Sequence, residues 1–381
     1  MIQNLTMFKN TLFHVFLLLL LTALPAKGEE ADNYLSITGP CNLEFPKDHG
    51  AHPGFRTEWW YYTGNLQAEN GSRYGFQLTF FRSQISPPGA EKKWPRRPSA
   101  WRTPQVYLAH AAVSDIAGQQ HLQAEEVSRA ALGMAGVNQP AQHTKVFLKN
   151  WSTRIKADLH ILQVHTADFS FELNFIPAKP AVLHGDRGYS LKGATPERAS
   201  CYYSFTRLQG QGIITIGGNT VAVTGSAWMD HEFSTALLEP GITGWDWFSL
   251  QLSDRSEIMV FLLRSKTGGL HPASSGTYIK ADGTPRPIAH QEINAAVLDT
   301  WRSNQSNARY PARWQLQIEP LGINLTITPR LPDQEMRTLG STGVTYWEGS
   351  VSIDGTKNKH PVIGEGYVEL TGYAAAFDAP L

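Results

Sequence analysis

The sequence predicts an all-β protein, and three observations support this. The chain of 381 residues is rich in turn formers, with 33 glycines and 23 prolines. Its 11 tryptophans, 13 tyrosines and 17 phenylalanines accompany only 17% charged residues, a composition typical of many short strands joined by turns. Apolar runs of strand length recur along the chain. Their alternation leaves one face apolar, as the interior of a β-barrel or β-sandwich requires.

Strands are predicted along both halves of the chain. In the first half they cover residues 57–67, 74–82, 106–114, 169–176, 200–208, 212–216 and 220–229. In the second half they cover residues 245–252, 257–263, 276–279, 292–298, 314–318, 324–328, 344–353 and 366–370. Turn-forming pairs such as Asn70-Gly71, Asp282-Gly283 and Asp354-Gly355 separate them. Residues 122–136 have a composition that fits a helix, and an irregular crossover explains them equally well.

A similarity between two hairpins indicates an internal duplication. Residues 60–82 and residues 247–264 each begin with aromatic residues, pass through a polar turn and end in an apolar run followed by an arginine. The two hairpins lie near the start of each half of the chain. We therefore predict two β-domains, residues 33–232 and residues 233–381.

The N-terminus has the pattern of a signal peptide. Lys9 carries its one charge, residues 11–24 are apolar, and Pro25-Ala26 offers a small residue for cleavage. This apolar run is shorter than the ~20 residues that cross a bilayer as a helix. We predict a cleaved leader, residues 1–26, and a periplasmic or secreted protein, with a retained N-terminal anchor as the alternative.

In an exported protein the two cysteines can be either paired in a disulfide or free. In an oxidising compartment Cys41 and Cys201 can form a lasting disulfide. Two buried, unpaired thiols are the alternative. Two isolated cysteines without paired spacing do not predict a zinc site.

Composition and motifs exclude several classes of function. Basic and acidic residues number 33 each and form no basic run, so no nucleic-acid partner is expected. The Gly-x-Ser-x-Gly motif of serine hydrolases is absent, and His231-Glu232 lacks the second histidine of a zincin helix. A metal site built from Asp230, His231, His184 and Asp186 has no diagnostic spacing, so no metal is predicted. The sequence predicts no cofactor either, since it has no glycine-rich phosphate loop.

Aromatic residues cluster beside acids in residues 58–62, 228–233 and 244–248, and residues 184–189 and 201–203 add further polar–aromatic pairs. This pattern predicts an apolar pocket with a few polar groups near its mouth. Packing at the ends of a barrel is the alternative explanation, and it carries most weight for Trp59, Trp60 and Trp228. The predicted ligand-binding residues are Trp59, Trp60, Tyr62, Tyr202, Trp228, Trp245 and Trp247.

A carboxyl group among aromatic rings suggests acid-catalysed hydration of a carbon–carbon double bond. Asp246 or Asp230 would supply the proton, and His231 would orient the water. An ordinary aspartate titrates near ~3.9, so burial must raise its pKa by ~3 for it to act at neutral pH. In a strand, Trp245 and Trp247 point to the face opposite Asp246, so other elements must then supply its apolar walls.

Several of these segments together resemble a known family. Residues 45–50, 58–66, 184–186, 228–232 and 244–248 are similar to the corresponding segments of the carotenoid 1,2-hydratase-like family, which includes relatives of hydroxyneurosporene synthase. The Glu-Trp-Trp-Tyr-Tyr-Thr-Gly-Asn run that starts at Glu58 is the most specific of them, and the resemblance extends over nearly the whole mature chain.

The resemblance implies both a fold and two functional hypotheses. The implied fold is two tandem lipocalin-like (calycin-type) antiparallel β-barrel domains. Enzymes of this family add water across the terminal double bond of acyclic carotenoids, which implies a hydratase that acts on a hydrophobic lipid or isoprenoid. Exported members are encoded beside ABC-type export permeases, and the leader peptide places this chain with them. The second hypothesis is therefore a non-catalytic lipid-binding accessory protein of an ABC-type export system.

Overall fold

The computed structural model describes residues 34–140, 143–236 and 238–377, and strands dominate it. The predicted leader lies outside these residues. Strands of the first half are β1 Thr57–Ala68, β2 Arg73–Gln84, β3 Gln105–Asp115, β4 Gln120–Arg129, β5 Ala135–Asn138, β6 His143–Leu148, β7 Trp151–Lys156, β8 Leu159–His165, β9 Phe169–Pro177, β10 Val182–Leu183, β11 Tyr189–Leu191, β12 Ala199–Ile216 and β13 Asn219–Ser234. Strands of the second half are β14 Ile242–Leu252, β15 Glu257–Ser265, β16 Ser275–Ile279, β17 Pro285–Ile288, β18 Ile293–Arg302, β19 Arg309–Ile318, β20 Ile323–Pro329, β21 Glu335–Thr338, β22 Val344–Lys357 and β23 His360–Thr371.

The strands form two antiparallel sheets, one in each half of the chain. The first sheet has the order β4-β3-β2-β1-β13-β12-β9-β8-β7-β6-β5, with β10 and β11 paired to β12. It curves so that β5 and β6 come back beside β3, which nearly closes a barrel. The second sheet has the order β17-β16-β15-β14-β23-β22-β20-β19-β18, with β21 paired to β22. The predicted all-β class is therefore confirmed, as tandem antiparallel barrel-like domains.

Among the described residues, one short 3-10 helix, Lys47–His49, precedes β1, and three others lie between strands, at Ala90–Lys93, His290–Glu292 and Glu319–Leu321. In the described part of the chain, none of the helices is long and apolar enough to cross a membrane.

The helical interpretation of residues 122–136 is wrong. This segment contributes β4 and β5, and β4 pairs with one neighbour at an edge of the sheet. An edge strand tolerates charged residues on its solvent side. The glutamates of β4 therefore interrupt the apolar alternation from which a strand would have been predicted. Strands β6–β8 were also missed, although buried and half-buried positions alternate along β6 and β8.

Strand alternation gives each sheet two different faces. One face of each sheet encloses that domain's own apolar core, which includes Trp60 and Phe76 in the first domain and Phe248 and Leu250 in the second. The other faces of the two sheets pack against each other. There Trp247 and other aromatic side chains of both domains form a third core.

Close backbone approach and buried charges fix the contact between the domains. A Cβ atom at Gly75 would lie 2.9 Å from Ser350 Cβ and 3.0 Å from Tyr367 Oη of the other domain, so a larger residue there would force these neighbours to shift. Glu257 of β15 is fully buried and receives Lys179 Nζ and Arg207 Nε of the first domain, each at 2.6 Å. Breaking such a buried pair on one side is costly, so these contacts hold the domains in one relative position.

The structure pairs the two cysteines. Cys41 and Cys201 form a disulfide with their Cα atoms 6.0 Å apart, which closes a loop with a sequence separation of 160 residues. The disulfide ties the segment before β1 to β12.

Candidate functional site

A cavity of about 340 Å³ lies where the two domains face each other. Strands β1, β2, β3 and β13 form its first wall, and β14, β15, β22 and β23 form the second. Since every second residue of a strand points to the same side, each wall presents a set of residues spaced by two. The lining is mostly aromatic and aliphatic, with a few carboxyl groups among these side chains.

Asp230 lies on the first wall, and three side chains donate hydrogen bonds to its carboxyl group. Tyr202 Oη donates to its Oδ2 at 2.7 Å, Trp228 Nε1 donates to its Oδ1 at 2.6 Å, and Ser204 Oγ also donates to Oδ1. Burial nevertheless raises the pKa of Asp230 to about 7, because the loss of water outweighs these three donors. At neutral pH this carboxyl group is therefore about half protonated.

Glu232 lies two residues further along β13, on the same face as Asp230. Its Oε1 is 3.2 Å from Lys192 Nζ, which gives this acid a cationic partner that Asp230 lacks among the contacts described. The Lys192 ammonium also lies 3.9 Å from the ring centre of Phe261 and 4.9 Å from that of Tyr202. The two acids of β13 thus have contrasting surroundings.

The second wall carries two further acids. Tyr61 Oη donates to Glu348, and Trp245 Nε1 donates to Glu369 at 2.9 Å. Burial, reinforced by the neighbouring Glu369, raises the pKa of Glu348 well above its ordinary value. Burial also raises the pKa of Glu369 to about 7. Both walls therefore present carboxyl groups that hold protons at or near neutral pH.

Aromatic side chains surround these acids. Trp59, Tyr202, Trp245 and Trp247 line the cavity, as does Phe261. Trp247 Nε1 donates to Tyr202 Oη at 3.2 Å, so the hydroxyl that donates to Asp230 is itself oriented by a hydrogen bond. Such walls suit an apolar ligand and can also stabilise a positive charge over their faces.

The seven predicted ligand-binding residues fall into three groups. Trp59, Tyr202, Trp245 and Trp247 line the cavity. Trp228 lies behind Asp230 and orients it. Trp60 and Tyr62 point instead into the core of the first domain, where Trp60 Nε1 donates to His49 O at 3.0 Å and Tyr62 Oη hydrogen-bonds with His160 Nδ1, also at 3.0 Å.

The structure separates the two candidate acids. Asp230 lines the cavity, whereas Asp246 does not. On β14 its neighbours Trp245 and Trp247 face the cavity, and Asp246 faces the other way, as strand alternation requires. There it pairs with Arg264 and accepts Tyr373 Oη at 3.1 Å. Burial raises the pKa of Asp246 to about 6.

His231 also points away from the cavity. Its Nε2 hydrogen-bonds with Glu58 Oε1 at 2.8 Å and its Nδ1 with Tyr203 Oη at 2.9 Å. Together with His52, these residues bring three possible metal ligands within 4.8 Å of one another. The Arg82 Nε lies 2.8 Å from Glu58, however, and a guanidinium there would repel a metal cation. The arrangement fits an ion-pair network better than a metal centre.

Sequence reasoning missed Glu348 and Glu369. Both follow an aromatic residue by two positions, as Tyr346-x-Glu348 and Tyr367-x-Glu369, and Trp228-x-Asp230 has the same spacing. In a strand this spacing puts the acid and the ring on one face, so it is the signal that could have found them. An acid directly next to aromatic residues in the sequence, as in Trp245-Asp246-Trp247, lies instead on the face of the strand opposite to those rings.

Comparisons with known proteins agree with this architecture. A family model described as AttH-like matches residues 36–373. The crystal structure of a protein assigned as AttH, from Nitrosomonas europaea, is 34% identical, with a TM-score of 0.78 over 89% of this chain and 99% of that one. Kievitone hydratase from Nectria haematococca is 15% identical, with a TM-score of 0.68 over 90% of this chain and 97% of its own. CghA is 13% identical, with a TM-score of 0.51 over 91% and 97% of the two chains.

The last two likenesses establish a shared fold. No curated protein matches the chain. The family match, by contrast, covers nearly all of the described residues, and the Nitrosomonas relative shares a third of its sequence over almost its entire length. This chain therefore belongs to the AttH-like family.

Proposed function

We propose that this protein is a hydro-lyase that adds water to a carbon–carbon double bond, or removes it, in a compact apolar molecule bound between the two domains. The observation that carries the proposal is Asp230, a carboxyl group that is half protonated at neutral pH and lies in an aromatic cavity. The fold shared with kievitone hydratase, a hydratase by name, supports it.

Asp230 is suited to protonating an alkene carbon. Its pKa of about 7 means that burial disfavours the anion by ~4 kcal/mol relative to water. A general acid works best when its pKa lies near the working pH, since it then combines a high protonated fraction with sufficient acid strength. The three donors keep the resulting carboxylate from becoming too unstable, so the proton can leave.

The cavity walls are suited to the cation that protonation creates. The faces of Trp59, Trp245 and Trp247 and the ring of Tyr202 are available around the bound molecule. Each desolvated aromatic face can stabilise a positive charge by ~2 kcal/mol. Apolar walls also limit access of bulk water, so that one positioned water molecule adds to the cation.

Glu232 is suited to accepting the proton that this water releases. Its Oε1 lies 3.2 Å from Lys192 Nζ, a cationic partner that Asp230 lacks among the contacts described. Two carboxyl groups with contrasting surroundings, two residues apart on one strand, thus face the same cavity. The cycle closes when the proton returns from Glu232 to Asp230, directly or through water, and the net reaction joins one water molecule to one double bond.

The size of the cavity constrains the substrate. Its volume of about 340 Å³ lies at the small end of the ~300–1,000 Å³ range of ligand pockets. A full-length carotenoid would therefore extend well beyond the cavity. We propose a shorter isoprenoid or another small conjugated molecule, enclosed around its reacting double bond.

We also propose that the protein works outside the cytoplasm. The disulfide between Cys41 and Cys201 supports this location, because such bonds persist in oxidising compartments. The alternative to an enzyme is a carrier that passes the same apolar ligand to an ABC-type export permease. The cavity would serve either role, but only the enzyme requires Asp230 to give up a proton.

Mass spectrometry of an organic extract tests the proposal. The wild type and the Asp230→Asn and Asp246→Asn variants are purified from the native compartment, and their bound molecules are compared. The enzyme predicts two species that differ by the mass of one water in the wild type and in Asp246→Asn, and only the unconverted species in Asp230→Asn. Thermal unfolding of each variant verifies that it is folded. A single unconverted ligand in all three proteins would refute the hydratase and favour the carrier.

A further inference from the structure

A chain of hydrogen-bonded side chains leads from the second wall of the cavity to the protein surface. It starts at Glu348, which is 1% exposed and shares a hydrogen bond with Tyr346. Tyr346 Oη hydrogen-bonds with His110 Nδ1 at 2.9 Å, and His110 Nε2 hydrogen-bonds with Ser341 Oγ, also at 2.9 Å. Ser341 Oγ donates to Glu125 Oε2. Ser341 and Glu125 are both partly exposed, so the chain ends at solvent.

When Glu348 is protonated, the donor and acceptor capacities of these groups allow one consistent direction for every hydrogen bond. Glu125 ends the chain as an acceptor, so Ser341 must accept from the Nε2–H of His110. That tautomer leaves His110 Nδ1 to accept from Tyr346 Oη–H, and Tyr346 Oη then accepts from a protonated Glu348. Burial independently supports both required states, since it raises the pKa of Glu348 and lowers that of His110 to about 3, which keeps the imidazole neutral.

This arrangement allows one proton to move along the whole chain. Each group passes its hydrogen to the next, from Glu348 through Tyr346, His110 and Ser341 to Glu125. The imidazole gains hydrogen at Nδ1 and loses it at Nε2, so it changes tautomer and stays neutral. The reverse sequence returns a proton from Glu125 to an ionised Glu348. No oxidant, reductant or other reactant is needed.

We propose that Tyr346, His110 and Ser341 form a proton relay that connects the Glu348 carboxyl group in the cavity with Glu125 at the surface. The relay gives the second wall a group that exchanges protons with solvent while the cavity is filled by an apolar ligand. Its use during turnover rests on the proposed function. Proton exchange at Glu348, by contrast, can be measured with no substrate present.

The competing explanation is purely structural. Tyr346, Glu348 and Ser341 belong to the second domain, whereas His110 and Glu125 belong to the first, so the same bonds also join the domains. A structural bridge would contribute to stability but would not control how fast a proton leaves Glu348. The rate of exchange therefore separates the two explanations.

Rapid mixing of the full-length protein into D₂O, followed by infrared spectroscopy of the protonated carboxyl stretch, measures this rate. The band that Glu348→Gln abolishes is assigned to Glu348. Tyr346→Phe and Ser341→Ala each interrupt the relay by removing one hydroxyl group, and each is expected to slow exchange by about 10²-fold. Ser341→Thr keeps a hydroxyl and should retain the wild-type rate.

Tyr61→Phe is the matched control, because it removes another hydroxyl that hydrogen-bonds with Glu348 but lies outside the chain through His110. The relay predicts that exchange in Tyr61→Phe stays fast. Wild-type exchange in Ser341→Ala, or equal slowing in Tyr61→Phe and Tyr346→Phe, would overturn it. If Tyr346→Phe does not fold, Ser341→Ala still tests the relay, because it removes only one hydroxyl group from a partly exposed loop and should leave the fold intact.

Discussion

Replacing Tyr202 by phenylalanine should raise the pKa of Asp230. The change removes one oxygen atom, and with it the donor that lies 2.7 Å from Asp230 Oδ2. The carboxylate loses a stabilising hydrogen bond, while its protonated form loses much less. The hydroxyl accepts from Trp247 Nε1 at 3.2 Å as well, so the indole loses its acceptor, but the aromatic packing keeps nearly the same volume.

The size of the effect follows from the strength of that bond. A hydrogen bond to a charged group contributes ~1.5–3 kcal/mol, and 1.36 kcal/mol corresponds to one pH unit. Starting from about 7, the pKa of Asp230 should therefore reach ~8–9 in Tyr202→Phe. The fraction ionised at neutral pH falls accordingly, and an enzyme that uses this acid would work best at a higher pH.

An infrared titration measures this directly. The protonated carboxyl band that disappears in Asp230→Asn is followed against pH in the wild type and in Tyr202→Phe. Tyr61→Phe serves as the control, since its hydroxyl donates to Glu348 rather than to Asp230. An Asp230 that titrates at the same pH or lower in Tyr202→Phe would show that this hydroxyl does not stabilise the carboxylate, and the argument for a tuned acid would fail.

Three further predictions concern stability. Replacing Cys41 and Cys201 by serine should lower the free energy of unfolding by ~5 kcal/mol in a denaturant titration, from the 160-residue separation that the disulfide closes. Glu257→Gln should cost ~3–5 kcal/mol because it leaves two buried cations with a neutral partner, whereas Glu126→Gln, which breaks an exposed pair, should cost at most ~1 kcal/mol. Burial lowers the pKa of His160 to about 3, so between pH 6.5 and pH 3 the unfolded chain binds a proton that the folded protein does not. Stability therefore falls on acidification, and His160→Phe should retain ~2 kcal/mol that the wild type loses between pH 7 and pH 5.

The fold could be predicted from the sequence because the relevant signals are local. Apolar alternation and glycine-containing turns marked the central strands of both sheets, such as β1 and β14. The edge strand β4 was not predicted, because its half-exposed positions carry glutamates that are equally compatible with a helix. The pairing of Cys41 with Cys201 depends on where a distant segment packs, which no local pattern contains.

The site could be predicted only in part, for a physical reason. Local sequence shows which residues share a strand face but not what that face meets. Asp230 and Asp246 both lie among aromatic residues in the sequence, yet one faces the other domain and the other faces its own domain's interior. Glu348 lies more than a hundred residues after Asp230 in the sequence. It reaches the site because the two domains pack against each other.

The same docking creates the chemistry of the site. On a single domain, the face that carries Asp230 and Glu232 would be the outer, water-covered side of a sheet, and Asp230 would titrate near its ordinary value. When the second sheet covers this face, water is removed from Asp230, and aromatic rings of β14 are placed over it. The packing of the two sheets converts two sheet surfaces into one cavity, so the raised pKa of Asp230 is a property of the domain pair and should be lost by any change that separates the domains.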